Sequence, residues 1–406
     1  MLKIAVVVYE FPVISETFVL NHINALAEAG HNVTVFSLFP ASSINKHHFL
    51  RSIGHLPYKI VYGERVPASK TARFKRCLQL LIRNTKSVKT LNVFKFGKEA
   101  SSLYLFFKAQ VFANASSFDI IHCHFGNVGN EVQKIRNLGL VSGKLVVSFH
   151  GYEFLKEEVL KRNGHYQELF THCEGVVANS TFTLERLKNL GCPPGKLVTI
   201  PVIPNTSLFQ NFAPKKEVRS AFKLLTVARL VEKKGITYAL EAISILKKNY
   251  GVTLQYDVIG KGDLLPELQD IINRQGLQDE VKLHGAKTQE EVAGFFSEAD
   301  LFLLPSIVDR KGDTETQGLV LIEVQLMRIP VVSTTAGGIS DSVRHNQTGL
   351  LEEEKNPHAL AEAIHKFYVD PDLRKKFGDA GEKFVLENFN AKLLTDKMIA
   401  FYQQLL

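Results

Sequence analysis

Leu224-Leu225-Thr226-Val227-Ala228-Arg229-Leu230-Val231-Glu232-Lys233-Lys234-Gly235 is the stretch whose reading decides the fold. An apolar, partly β-branched run reads as a buried strand, a cationic loop follows it, and a helix is expected from Gly235. Free backbone N–H groups and positive side chains converge where such a loop joins a helix, which makes a natural anion site suited to a diphosphate. A solvated basic surface has the same composition, so the loop alone does not decide between the two.

Outward from this stretch the alternation continues in both directions. Toward the C-terminus, strands are expected at Thr253 to Ile259, Glu280 to Leu283, Leu301 to Leu304 and Val331 to Ser333. Helices should start at Leu264, Gln289 and Gln317. Toward the N-terminus, strands are expected at Lys3 to Val8, Val33 to Leu38, Asp119 to Cys123, Lys144 to His150, Gly175 to Ala178 and Lys196 to Ile200. Helices fall at Glu16 to Ala29 and Thr181 to Leu190. Strands alternating with helices predict parallel sheets. Pro201 to Pro214, with three prolines and little periodicity, reads as a linker. The expected fold class is therefore α/β, with two doubly wound Rossmann-like domains whose strand ends face a central cleft. The domain limits are 1–205 and 206–385. A terminal helix at 386–406 is expected to return to the first domain.

A chain of 406 residues is about twice the usual domain size, and 45% hydrophobic with 22% charged residues excludes a largely disordered protein. Four scattered cysteines form no CxxC pair, so neither a disulfide framework nor a zinc knuckle is indicated. The apolar run Ile4 to Val8 is too short for a signal-peptide core, and no stretch reaches the roughly 20 apolar residues of a spanning helix. A cytoplasmic location follows, peripheral to the inner face of the membrane if the basic segment docks there. That segment, Arg65 to Lys98, holds ten Lys and Arg and no Asp or Glu, which leaves 39 basic against 41 acidic residues elsewhere. Within it Phe74, Cys77, Leu78, Leu81 and Ile82 recur at helical spacing, with Lys75, Arg76, Arg83 and Lys86 opposite. Residues 73–86 thus read as a basic amphipathic helix, either solvated or docked on anionic lipid. No nucleic-acid-binding motif accompanies the charge.

Two carboxylates lie beyond the strand Leu301 to Leu304. If a helix starts near Gln317, Glu315 stands at its mouth, beside Gly318. Glu323 then sits about two turns inside, among Leu319, Val320, Leu321, Ile322 and Val324. A carboxylate in so apolar a run needs a partner, and paired ribose hydroxyls would serve. The turn Gly260-Lys261-Gly262-Asp263 is an incomplete dinucleotide loop, read as a tight turn near a nucleotide base. His284, before Gly285, reads equally as a base-pocket residue or as an ordinary turn histidine. His122 and His124 share one strand face, which suits zinc, yet no third ligand is evident, and a pair lining the acceptor cleft is preferred. Asp370-Pro371-Asp372 matches a bare DxD pattern, but a turn and helix N-cap explain it better.

Taken in order, Arg229 with Lys234-Gly235, Glu315 and Glu323 with seven residues between, and Pro330-Val331-Val332 leading to Gly337-Gly338 closely resemble glycosyltransferase family 4. The opening Phe11 to Val19, Ile121-His122-Cys123-His124-Phe125-Gly126 and His150-Gly151-Tyr152-Glu153 are similar to its colanic acid and exopolysaccharide subgroup. The resemblance covers essentially the whole chain and implies a GT-B fold. It further implies that Arg229 and Lys234 bind the donor diphosphate, Glu323 the ribose, and Glu315 the donor sugar, with the backbone near Gly318 beside it. His150 would act with Glu315 at the sugar, facing it across the cleft. Ser15 and Glu16, with His124 and Tyr152, would serve the acceptor. Thr316-Gln317, Val324-Gln325 and Ser340-Asp341 depart from the usual pattern, which leaves the donor open.

The expected reaction is a retaining, metal-independent transfer of a hexosyl group from a nucleotide-sugar, UDP before GDP, to a growing polysaccharide or lipid-linked glycan. Fixed cations would stabilise the leaving diphosphate, with same-face attack assisted by that phosphate. No cofactor beyond the donor is called for. A non-hydrolysing sugar-nucleotide epimerase and a non-catalytic nucleotide-sugar binding module are the alternatives.

Overall fold

The structure is a computed structural model that describes residues 1–13, 16–41, 57–115, 117–204 and 221–406. The chain divides into two compact units. The first comprises Met1–Asn179, Leu184–Ile200 and Thr395–Leu406, and the second Ser180–Thr183 and Pro201–Leu394.

The first unit is built on a seven-stranded parallel sheet. Its strands are β1 (Lys3–Phe11), β2 (Asn32–Pro40), β3 (Lys59–Tyr62), β4 (Ile120–His124), β5 (Lys144–Phe149), β6 (Gly175–Ala178) and β7 (Leu197–Thr199), in the order β3-β2-β1-β4-β5-β6-β7. Ile4 through Val8 are at most 1% exposed, as expected for a parallel strand covered on both faces. The second unit has six parallel strands: β8 (Phe222–Val227), β9 (Leu254–Ile259), β10 (Val281–Leu283), β11 (Leu301–Leu304), β12 (Val331–Thr334) and β13 (Gly349–Glu352). Their order is β10-β9-β8-β11-β12-β13. Each unit is therefore a doubly wound, Rossmann-like sheet whose first strand lies beside its fourth. Ligands in such sheets bind at the carboxyl ends of those two strands, where the winding direction reverses.

Two strands, β3 and β13, were not foreseen from the sequence, and both are sheet edges only four residues long. The helix expected from Gln317 begins at Leu319, because Gly318 sits in the left-handed region (φ 75°) just before it. Asp370 accepts a hydrogen bond from Leu373 N at 2.8 Å as the N-cap of the helix Pro371–Asn388. All four cysteines are buried and free. Among the described residues no helix is long and apolar enough to cross a membrane.

The basic helix runs from Lys70 to Arg83, and its apolar face is not the one expected. Cys77 and Leu80 turn inward, packing with Phe106 and Phe107, and Leu81 lies against that cluster. Phe74 (60% exposed), Leu78 (49%) and Ile82 (83%) form a second stripe that lies open, and the fully exposed Phe94 follows it in sequence. The i, i+4 spacing of 74, 78 and 82 puts them on one face, displaced around the helix from the Cys77–Leu80 pair.

The helix Ala391–Leu405 closes the chain, and its residues from Thr395 onward belong to the first unit. There Phe401 packs over Gly175 of β6, where a Cβ would meet the ring at 2.6 Å, and Tyr402 is wholly buried.

Candidate active site

In the second unit the loops leaving β8 and β11 carry the charged residues. Lys234 is 8% exposed, and its Nζ lies 2.8 Å from Glu315 Oε1. Lys233 Nζ pairs with Asp313 Oδ1 and donates to Thr314 O, each at 3.0 Å, and lies 3.9 Å from Glu315 Oε1. Burial lowers the Lys234 ammonium, and Glu315 offsets part of that loss. Burial pushes the Glu315 carboxyl up, but Lys234, Lys233 and Arg229 together outweigh it and leave the group below its ordinary value. Arg229 is exposed and, among the described residues, has no hydrogen-bond or ion-pair partner. Three cations against two carboxylates leave this cluster with a net positive charge, and Arg229 is its unengaged member.

Glycines set the geometry. Gly337 has φ 60°, and a Cβ there would overlap the carbonyl oxygen of Glu315. Gly338 N donates to that same oxygen at 2.9 Å, and a Cβ on Gly338 would overlap the Thr316 carbonyl. The glycine pair thus lets the β12 loop run directly against the backbone that holds Glu315. Gly235 (φ 63°) plays the same part against Pro305 at the end of β11, and Ile307 N donates to Lys233 O at 2.9 Å.

Glu323 is half-buried on the helix Leu319–Leu326. Burial raises its carboxyl to about 8, and among the described residues it has no hydrogen-bond or ion-pair partner. None of the described residues therefore supplies the partner that the apolar run demanded. Gly260 (φ 146°) follows β9 directly, and a Cβ there would overlap the Ala228 carbonyl, so the turn lies against the Arg229 loop. His284 Nε2 lies 2.6 Å from Oδ1 of buried Asp257, and its ring meets Phe295 at 4.8 Å. One ring nitrogen is thus committed to the protein.

In the first unit His150 follows β5. Its ring lies 4.6 Å from Phe18 and 4.8 Å from Phe125, and stacks on His124 at 5.2 Å. The loop is held by Glu153, fully buried, whose carboxylate accepts from His150 N (2.6 Å) and Gly151 N (2.9 Å). Burial raises Glu153 to about 7 against the opposing pull of these N–H groups. Glu16 and Tyr152 line a cavity of ≈ 560 Å³ together with Tyr9, Glu10, Phe125 and Arg162. Burial, with Glu10 nearby, raises Glu16 to about 7. Ser15 lies outside the described residues.

His124 departs from expectation. It is 3% exposed and does not line that cavity, because its ring is enclosed between His22 and His150, at 2.9 and 3.0 Å. The third histidine that the sequence did not reveal is His22, from the helix Thr17–Glu28, and ligand atoms of His22, His122 and His124 lie within 4.8 Å of one another. That set could hold a metal ion. All six of their ring nitrogens also have hydrogen-bond partners, with Tyr402, Ser148 and His150 completing the group.

Sequence reasoning passed over Lys233 and Asp313, since adjacent lysines do not show which one is buried. It missed His22 and Tyr402, for which only their residue type was a signal.

Comparison with known proteins bears on both units. Residues 15–206 match the model described as Glycosyltransferase Family 4, and residues 209–384 the model described as Glycosyl transferases group 1. The chain is 31% identical to the putative colanic acid biosynthesis glycosyltransferase WcaL of Salmonella typhimurium, over 99% of this chain and all of that one. It is 34% identical to the amylovoran biosynthesis glycosyltransferase AmsK of Erwinia amylovora, over 97% of this chain and 96% of that one. Among solved structures, a glycosyltransferase from Rickettsia africae superposes with a TM-score of 0.72 at 19% identity, covering 99% and 98% of the two chains. Anabaena HepE in complex with UDP and glucose gives 0.72 at 17% identity, covering both chains in full. At such identities the structural likeness concerns the fold.

Proposed function

The chain belongs to the family 4, group 1 glycosyltransferases and is a hexosyltransferase, and on that footing we propose that it is a retaining, metal-independent enzyme acting on a UDP-sugar. The observation that carries this reading is that, among the described residues, Arg229 and Glu323 have no hydrogen-bond or ion-pair partner while the buried Lys234–Glu315 pair stands beside Arg229. A nucleoside diphosphate supplies what both lack: an anion for Arg229 and paired hydroxyls for Glu323. Fixed cations then stabilise the charge that develops on the departing diphosphate, the task a divalent ion performs in other transferases. Glu315, held by Lys234, receives the donor sugar's hydroxyls, and Gly318, Gly260 and His284 border the nucleotide. His150 acts at the transferring sugar, as the family resemblance implies. Same-face attack keeps the anomeric configuration.

The acceptor is a growing polysaccharide or lipid-linked glycan, in keeping with the colanic acid and amylovoran relatives. The polar, aromatic-lined cavity bordered by Glu16 and Tyr152 suits a sugar. Docking on anionic lipid through the basic helix is supported by Phe74, Ile82 and Phe94, which stand exposed among cations.

The test is thermal stabilisation by a panel of sugar nucleotides, with and without EDTA, followed by NMR of the product's anomeric centre. UDP-sugars should raise the melting temperature equally in both conditions, and Arg229→Ala should abolish the rise. Stabilisation lost with EDTA, or an inverted product, would overturn the proposal.

A further inference from the structure

Three neighbouring strands of the first sheet, in the order β1, β4, β5, each deliver one aromatic side chain to the cavity of ≈ 560 Å³. Tyr9 lies near the end of β1, Phe125 directly follows β4, and Tyr152 stands in the loop after β5. These are the carboxyl ends of the strands around the point where the winding reverses, where ligands of doubly wound sheets bind. Tyr9 is 45% exposed and Tyr152 41%. Outside residues 74–104 they are the only exposed aromatic side chains among the described residues of the first unit. Open aromatic faces inside one cavity mark a site whose ligand covers them.

The three rings are held in place. Tyr9 packs on Phe39 at 4.9 Å, and the Tyr152 hydroxyl donates to Asn127 Oδ1 at 3.3 Å while its ring meets Phe125 at 5.5 Å. Phe125 has φ 74° and ψ 135°, a region that strains any residue with a side chain and suits glycine. Its backbone is tied on both sides, since its N donates to Ser148 O at 2.8 Å and its O accepts from Val128 N and Gly129 N at 3.1 Å. Strain of this kind gathers at ligand sites, and a phenylalanine where glycine would fit shows that the ring serves a purpose there. The same ring lies 4.8 Å from His150, which makes Phe125 the wall between that residue and the cavity.

The charges of the lining narrow the ligand further. Lys108 is paired with Glu131 at 2.8 Å and Lys134 with Glu99 at 2.7 Å. Among the described residues Glu10, Glu16 and Arg162 are left without an ion pair. Two carboxyls against one cation give no surplus of positive charge to hold a phosphate or a carboxylate, and free carboxyls accept from hydroxyl groups. A pyranose meets both demands, with C–H bonds on one face for the rings and hydroxyls around its rim for the acids.

We propose that Tyr9, Phe125 and Tyr152 form a stacking subsite for one neutral pyranose of the acceptor, with Tyr9 and Phe125 as specificity-determining residues. The proposal rests on the reading of this cavity as the acceptor site and adds the face by which the sugar is held. The subsite selects against uronic acids and phosphorylated sugars.

The chain contains no tryptophan, so Tyr9→Trp keeps an aromatic face and supplies a single fluorescent reporter. The methyl glycosides of glucopyranose, galactopyranose and mannopyranose are titrated against this variant, with methyl glucuronide as the charged comparison. At least one neutral glycoside should change the emission saturably, and the glucuronide should bind about tenfold more weakly. Adding Tyr152→Leu or Phe125→Leu keeps apolar bulk but removes a ring face, and should weaken the binding about tenfold while thermal stabilisation by UDP stays unchanged. No response to any neutral glycoside, tighter binding of the glucuronide, or binding that both leucine variants leave intact would overturn the subsite. Should Tyr9→Trp not fold, saturation-transfer NMR on the unaltered protein carries the test. Irradiating aromatic protons should then mark the C–H protons of one glycoside face above the rest, and even or absent transfer would overturn the proposal. A glycoside that fills the subsite but accepts no sugar from any UDP-sugar would sink the acceptor reading, while the emission still reports the stacking.

Discussion

Glu323 is a carboxyl group that folding holds protonated near neutral pH. The unfolded chain releases this proton near the ordinary value of 4.5, whereas the folded chain keeps it to about 8. Between those values the native state binds more protons than the unfolded one, so stability falls as pH rises through the window, with the full cost present above it. Glu323→Gln has no proton to lose. The unliganded variant should melt above the unaltered protein at pH 8.5 and converge with it near pH 4. It should also weaken the stabilisation by UDP, because the amide keeps only one acceptor oxygen for ribose hydroxyls where a carboxylate offers two. Equal melting curves at both pH values would argue against a buried, partnerless carboxyl. The demand for a partner was legible in the run Leu319 to Val324; that no described residue meets it was not, since this depends on what the neighbouring loops present. Lys233 and Lys234 teach the same point: both were visible as charge, and only packing shows Lys234 buried against Glu315.

At the scale of elements, loops held by glycine pairs carry the site. Gly337 combines a left-handed backbone with a contact that admits no Cβ. Gly337→Ala should therefore cost at least about 2 kcal/mol and push the Glu315 backbone away from Lys234. A lower melting temperature accompanied by a lost UDP shift would match this; a variant that binds UDP normally would show that the loop tolerates the displacement. The sequence made the central strands plain, because Ile4 to Val8 and Leu301 to Leu304 are continuous apolar runs. Edge strands β3 and β13 are covered on fewer sides, so Lys59 to Tyr62 and Gly349 to Glu352 carry little periodic signal. The basic helix misled for a related reason. Two apolar stripes on one helix cannot be ranked by spacing, and the stripe Phe74, Leu78, Ile82 proved to be the exposed one.

For the molecule as a whole, one strand order serves twice, and both sets of candidate residues gather where the first strand of a sheet lies beside its fourth. Composition and alternation were sufficient to reveal that plan. The return of the last helix to the first unit was expected only as a general trait of the fold, and the chemistry it brings, Tyr402 among the histidines, was invisible at a separation of 280 residues from His122. Ending the chain after Leu394 would strip Met398, Phe401 and Tyr402 from that core. Each such side chain contributes about 1.5–3 kcal/mol, a sum comparable to the stability of a typical domain. The shortened protein should lose the first unit's cooperative melting transition while the second unit's survives; two intact transitions in calorimetry would refute this. The order of synthesis follows from the same helix. A ribosome delivers the amino-terminal sheet first, yet the stretch that seals it emerges only after the second unit has been made. The nascent chain must therefore wait with its opening domain unsealed, and maturation finishes where translation began.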